Sequence, residues 1–202
     1  FRPNHSKLVF PNYLRAMSKF HNLRVVEIRR ETVDSVSLLL ESVSGETFNY
    51  KAGQYLTLRT TIDGEDVRRS YSLCSAPYEG ILRVAVKEVP GGKFSAYANR
   101  VLAVGDVLES MLPDGRFTAA SGSNENNHLG FAAGSGITPI MSIIKETLHA
   151  SGDAKFALFY VNKETASIIF KEELADLKDI YLERLQIFNL LTREPVEIAM
   201  FG

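Results

Sequence analysis

Residues 129–152 read LGFAAGSGITPIMSIIKETLHASG, and their texture decides the fold class. An apolar run ends in glycines, and an amphipathic pattern begins at once behind them. That is a strand turning directly into a helix. Thr138 is placed to cap the helix, Pro139 suits its first position, and Gly152 suits its exit. Downstream, FALFYVN (156–162) is a continuous apolar strand, KEELADLK (171–178) is helical, and LQIFNLLT (185–192) is a further buried strand. Strand, helix, strand, helix, strand implies a parallel sheet. This is about half of a doubly wound nucleotide-binding fold. The residues EPVEIAMFG (194–202) read as a loop leaving the third strand.

Upstream the pattern changes. Between Asn22 and Phe117, the segments LRVVEIRRE, SVSLLLES, QYLTLRTT, RRSYSLCS, ILRVAVKEV and DVLESMLP are short and rich in strand formers. The turns between them carry Gly, Pro, Asp and Ser, as in SGE, DGED, SAPYEG, VPGG and PDG. Regular short strands of this kind imply an antiparallel barrel or sandwich. KFSAYANRVLAV (93–104) is spaced for a short helix, with Ser95 as its expected cap. The polar stretch SGSNENNH (121–128) marks the boundary. The expected domains are 19–121 and 122–202, with residues 1–18 an extension that lacks any periodic pattern.

Composition narrows the function. The chain has 202 residues and a net charge of −1, so no overall basic field points to nucleic acid. The single cysteine excludes an internal disulfide, a thiolate zinc site and a four-thiolate iron–sulfur cluster. A reducing cytoplasm is the expected location. No apolar run approaches the ~20 residues of a membrane helix. His5, His21, His128 and His149 are scattered without ligand spacing, so no metal is expected. Cys74 reads as a small buried hydrophobe, and Met141, Ile143 and Ile144 read as helix core.

Three stretches carry chemistry. In AGSGITP (133–139), glycines at a strand-to-helix turn let backbone approach a ligand, and the free N–H groups favour an anion such as a pyrophosphate. Pro139 sits where a GxGxxG pattern would have its third glycine, and the motif alone suits a tight turn equally well. In PGGKFS (90–95), Gly91 and Gly92 precede a helix start that offers N–H groups and a hydroxyl to an anion; a plain capped hairpin turn is the simpler alternative. In RRSYSLC (68–74), an arginine suits a phosphate, a tyrosine offers a face for stacking, and a serine offers a hydrogen bond to a ring nitrogen. Strand alternation puts Arg69, Tyr71 and Leu73 on one face and Ser70, Ser72 and Cys74 on the other. One ligand reaches Tyr71 and Ser72 together only along the strand's end or edge.

The order of these stretches resembles the ferredoxin–NADP reductase superfamily from about Lys19 to Gly202. RxYS is matched by Arg69, Tyr71 and Ser72. The Gly-x-x-Ser phosphate turn is matched by Gly92, Lys93, Phe94 and Ser95, and GxGxTP by Gly134, Gly136, Thr138 and Pro139. AGQY (52–55) resembles a PGQ motif with Ala52 in place of proline. The resemblance implies an antiparallel Greek-key β-barrel flavin domain followed by a partial doubly wound parallel-sheet nucleotide domain. It implies FAD bound by Arg69, Tyr71, Ser72, Leu73, the Gly91–Ser95 turn and the backbone of Val86 and Lys87. It also implies a nicotinamide cofactor bound by Gly134, Ser135, Gly136, Thr138 and Pro139. Tyr71, Ser72 and Thr138 would stand at the hydride transfer between the two.

Within the superfamily, VKEVPGGKFSAYAN, GFAAGSGITPIMSIIK, IIFKEEL and LLTREP resemble the reductase components of phenylacetyl-CoA oxygenase (epoxidase) systems. That resemblance implies electrons passing from NADPH through FAD to a [2Fe–2S] ferredoxin domain, and on to an oxygenase component. These residues contain no C-x₄-C-x₂-C motif, so the cluster would belong to a following domain or a separate protein. Lys163, Thr192 and Arg193 near two strand ends favour a 2′-phosphate and hence NADPH, whereas the adjacent Glu164 and Glu194 favour NADH. The reductase module of a flavohaemoglobin and a flavin-binding electron-transfer subunit are the alternative readings.

Overall fold

The computed structural model describes residues 19–118 and 126–194. The expectations for residues 1–18 and for most of the boundary stretch and the C-terminal loop lie outside the described residues.

The first unit is a six-stranded antiparallel sheet. Its strands are β1 (His21–Thr32), β2 (Ser35–Ser42), β3 (Tyr55–Ile62), β4 (Glu65–Ser72), β5 (Leu82–Lys87) and β6 (Val107–Ser110), with helix α1 (Lys93–Arg100) between the last two. The strand order is β4-β3-β6-β1-β2-β5. The two end strands approach one another just past β4, where Leu73 bridges to Val84 and closes the sheet into a barrel. Alternation along the strands sends Leu23, Leu38, Leu56, Leu58, Leu73, Val84, Val86 and Leu108 inward, all with 0% exposure. Each such side chain contributes about 1.5–3 kcal/mol by leaving water.

The second unit is the parallel sheet expected from the sequence. β7 (Asn127–Ala133), β8 (Lys155–Asn162) and β9 (Leu185–Leu191) lie in the order β7-β8-β9. The connections run through helices α2 (Ile137–Ala150) and α3 (Lys171–Tyr181). Ala132, Phe156, Leu158, Tyr160 and Leu185 pack against the buried stripe of α2, where Met141, Ile143 and Ile144 are core as expected. The opposite face is apolar and open among the described residues. Phe131, Phe159 and Phe188 share one register across the three strands, with ring centroids 5.2 and 4.8 Å apart. Parallel sheets bury both faces, so this is the geometry of one half of a doubly wound fold.

The barrel and the sheet share a core. Ala52, Cys74 and Ala85 of the barrel belong to the same buried cluster as α2. Cys74 is the small buried hydrophobe expected of it, and burial pushes its thiol pKa well up. Gly53 has φ +94°, and a Cβ there would meet the Phe117 carbonyl oxygen at 1.9 Å. Only glycine allows that close approach beside Ile143.

Two expected caps are corrected. Helix α2 begins at Ile137 with Gly136 as its cap residue, so Thr138 lies inside the first turn and its hydroxyl donates to the Ser135 carbonyl (3.1 Å). Helix α1 begins at Lys93 behind Gly92, so Ser95 is its third residue. In both places the glycine-rich turn delivers the chain in the right direction without a side-chain cap.

Candidate functional site

A cavity of about 300 Å³ lies where the two units meet. Its walls are Arg69, Ser70, Tyr71 and Ser72 of β4, Ala85 and Lys87 of β5, Val89 and Gly92 of the following turn, and Phe94 and Ser95 of α1. Ser135 and Thr138 of the second unit complete it. Strand β4 explains how consecutive residues border one space. It is the terminal strand of the sheet order, paired along its length only with β3, so both of its faces meet at an open edge.

The charge of the site is one-sided. The lining holds two cations, Arg69 and Lys87, and no carboxylate. Lys87 lies 3.5 Å from Asp34, whereas Arg69 makes no ion pair among the described residues and donates only to the Arg68 carbonyl. An exposed guanidinium without a counter-ion at a cavity mouth suits a phosphate. The Tyr71 ring lies 5.3 Å from Phe94, and burial pushes its hydroxyl pKa up to about 12, with Arg69 opposing the shift. It presents a neutral aromatic wall. A larger cavity of about 460 Å³, between β1, β2 and residues 77–82, contains Glu41 and Glu46 and no cation, which disfavours a phosphate-bearing ligand there.

The turn before α1 is tightly built. Ser95 Oγ accepts from Val89 N (3.2 Å) and donates to the Gly92 carbonyl (3.1 Å). Its hydroxyl therefore braces the turn, and the backbone N–H groups of the helix start are what remain for an anion. Gly92 has no room for a side chain, since a Cβ would meet Ser95 Oγ at 2.4 Å and Val89 Cγ2 at 2.6 Å. At Gly91 (φ +71°), Gly134 (φ +49°) and Gly136, a Cβ would have nothing within 4 Å. These three glycines leave open space beside the backbone. An unpaired cation, an aromatic wall and open helix starts fit the phosphates and ring of a flavin nucleotide.

Several sequence expectations shift. Leu73 and Val86 do not line the cavity; both are fully buried in the barrel, and the Val86 carbonyl accepts from Asn99 Nδ2 (3.0 Å). Strand parity turns Ala85 and Lys87 to the cavity instead, so Ala85 and Val89 were missed. Both are small apolar residues without a motif of their own. Lys93 lies outside the cavity and pairs with Glu65 at 2.5 Å. Gly134, Gly136 and Pro139 flank the cavity-lining Ser135 and Thr138 without lining it.

The strand-end residues come together. Arg193 N donates to the Lys163 carbonyl (2.9 Å), and Thr192 N to the Asn162 carbonyl (3.0 Å). Lys163 and Arg193 make no ion pair among the described residues. Glu194 is engaged elsewhere: its carboxylate accepts from Thr165 N (2.6 Å) and Thr165 Oγ1 (2.8 Å). Those bonds hold its pKa below the ordinary value.

Comparison with known proteins gives two domain matches. The oxidoreductase FAD-binding domain matches residues 23–119, and the oxidoreductase NAD-binding domain matches residues 131–199. The chain is 39% identical over 184 residues to a component of the 1,2-phenylacetyl-CoA epoxidase of Escherichia coli K12, covering 90% of this chain and 52% of that one. The chain thus spans about half the length of this curated relative. The FAD/NAD-binding domain of Vibrio cholerae nitric oxide dioxygenase superimposes with a TM-score of 0.79 at 25% identity, over 88% of this chain and 76% of that one. Phthalate dioxygenase reductase, described as a modular structure for electron transfer from pyridine nucleotides to [2Fe–2S], gives a TM-score of 0.73 at 26% identity, over 90% of this chain and 55% of that one.

Proposed function

This chain belongs to the FAD- and NAD-binding oxidoreductases of the ferredoxin–NADP reductase type, and on that footing we propose that it takes electrons from NADPH into bound FAD and hands them on singly. The observation that carries this is a cavity at the junction of the two units, with Arg69, Tyr71 and Ser72 on the barrel side and Ser135 and Thr138 on the other. FAD supplies the conversion of a two-electron donor to one-electron delivery when bound. The chain's own residues position it. Arg69 and the N–H groups at the start of α1 would hold the flavin phosphates, and Tyr71 with Phe94 would wall the ring. Ser72 would hydrogen-bond at flavin N5. Thr138, on the opposing unit, would border the nicotinamide, and the backbone N–H groups at the start of α2 would hold the dinucleotide's pyrophosphate. Lys163, Thr192 and Arg193 would take the 2′-phosphate. Thr165 engages Glu194, one of the two carboxylates that favour NADH, which supports NADPH, while Glu164 stays exposed beside Lys163.

The names of the relatives support a reading of the acceptor. We propose a [2Fe–2S] ferredoxin domain, in cis or in trans, and beyond it the oxygenase component of a multicomponent system acting on an aromatic acyl-CoA, in a cytoplasmic setting. NADPH consumption measured with the cognate oxygenase, with and without phenylacetyl-CoA, tests this; consumption that never couples to product sinks the partner while sparing the flavin. The similarity to the Vibrio cholerae domain keeps a flavohaemoglobin reductase module as the second reading, and haem absorbance in the native protein would decide for it.

A further inference from the structure

Lys145 is buried to 5% exposure, yet it carries a charge. Its Nζ lies 3.2 and 3.4 Å from the two carboxylate oxygens of Glu79 and forms a shorter contact with Glu173. The three residues come from three places. Glu79 sits in the turn that follows β4, Lys145 in the third turn of α2, and Glu173 in the first turn of α3. Burial disfavours the ammonium, but the Glu173 and Glu79 carboxylates outweigh it and hold the pKa above the ordinary lysine value. Removing one partner of a buried ion pair costs more than replacing the whole pair by apolar groups, so the cluster is weak evidence of added stability.

The cluster is the far end of a seam that begins at the cofactor site. Ser72 and Thr138 both line the cavity. Three residues beyond Ser72, the Ser75 carbonyl accepts from Ser142 Oγ at 2.6 Å, one helical turn beyond Thr138. A further turn along lies Lys145, opposite Glu79. Both serines are fully buried. The Ser75 hydroxyl is itself fixed, accepting from Tyr50 and donating to the Ile81 carbonyl. Helix α2 is thus pinned to the flavin-side segment at two successive turns, the second by charge.

We infer that Lys145 is a positioning residue. Bridging Glu79 and Glu173, it sets how α2 and its glycine-rich turn lie over the flavin side of the cavity, and so sets the register in which nicotinamide and flavin rings meet. This rests on the flavin–nicotinamide reading proposed above. Charge rather than bulk performs the task, because an apolar side chain of similar length would fill the space without fixing the helix to either carboxylate.

The test uses the FAD-loaded protein with Lys145→Met and, independently, Glu79→Gln, which keeps shape and leaves Lys145 with Glu173. Three quantities are read: FAD content, the limiting rate and nucleotide dissociation constant of anaerobic reduction by NADPH, and the long-wavelength charge-transfer absorbance of the nucleotide–flavin complex. Both variants should retain FAD. In Lys145→Met the limiting rate should fall about 10- to 100-fold, as misalignment of reacting groups does. The dissociation constant should move by no more than roughly threefold, because the binding groups remain. The charge-transfer absorbance should weaken in both variants. Unchanged rate and absorbance in the variants, or loss of FAD from both, overturns the positioning role alone. A wild-type protein that takes up no flavin overturns the underlying reading and this role with it.

Discussion

Tyr71 and Ser72 are neighbours on β4 with side chains directed to opposite faces, and both border the same cavity. In a central strand that would be excluded, since each face has its own neighbour. At the terminal strand of this sheet a ligand can wrap the edge, touching a ring on one side and a hydroxyl on the other. The two residues can therefore reach one ligand because of where their strand lies in the sheet.

Arg69→Ala should weaken FAD binding. The guanidinium has no carboxylate partner among the described residues, so its charge is available to a phosphate. Loss of one charge-assisted contact corresponds to about 1.5–3 kcal/mol, or roughly 10- to 150-fold in dissociation constant. Flavin fluorescence titration of apoprotein measures it; an unchanged constant removes Arg69 from the phosphate site.

Ser72→Ala should leave FAD bound and slow its reduction. The substitution deletes a hydroxyl at the cavity while the Tyr71 and Phe94 wall stays in place. Stopped-flow reduction by NADPH should show about a 10-fold or greater fall in limiting rate, the size expected when a hydrogen bond made mainly in the transition state is lost. An equal rate in the variant would leave Ser72 a barrel residue only.

Gly92→Ala and Gly91→Ala should separate crowding from strain. At Gly92 a Cβ meets Ser95 Oγ at 2.4 Å, so the brace of the turn must move and FAD retention should be lost. At Gly91 the φ of +71° costs an L-residue about 1–2 kcal/mol, but nothing stands within 4 Å. That variant should lower Tm modestly and keep its flavin. Equal FAD retention in the two variants would contradict this account of the turn.

Arg193→Ala should raise the KM for NADPH with little change for NADH. Glu194→Gln should have a different effect, loosening the turn at Thr165. The folded-state pKa of Glu194 is depressed by the hydrogen bonds from Thr165, so its contribution is present above the ordinary carboxylate pKa and fades as pH falls through the folded value. Thermal unfolding from neutral pH into the acid range should show a smaller acid-induced loss in Glu194→Gln than in wild type. A KM ratio for the two nucleotides unmoved by Arg193→Ala would count against the 2′-phosphate site.

The sequence by itself determined the elements and their order. Period-two alternation in SVSLLLES leaves little choice of face, because a slip of one residue would expose the core, whereas a continuous apolar run such as FALFYVN marks a strand of a sheet buried on both faces. Glycines at 91, 92, 134 and 136 also announced the two turns. Sequence spacing did not reveal the edge position of β4, the parity that turns Ala85 rather than Val86 to the cavity, the commitment of Ser95 to its own turn, or the engagement of Glu194 by Thr165. The Glu79–Lys145–Glu173 seam was equally hidden, its members lying 66 and 28 positions apart. Local periodicity encodes which side of an element is apolar. Which polar groups meet is decided only when distant elements pack, since that packing leaves each buried charge the partners it needs.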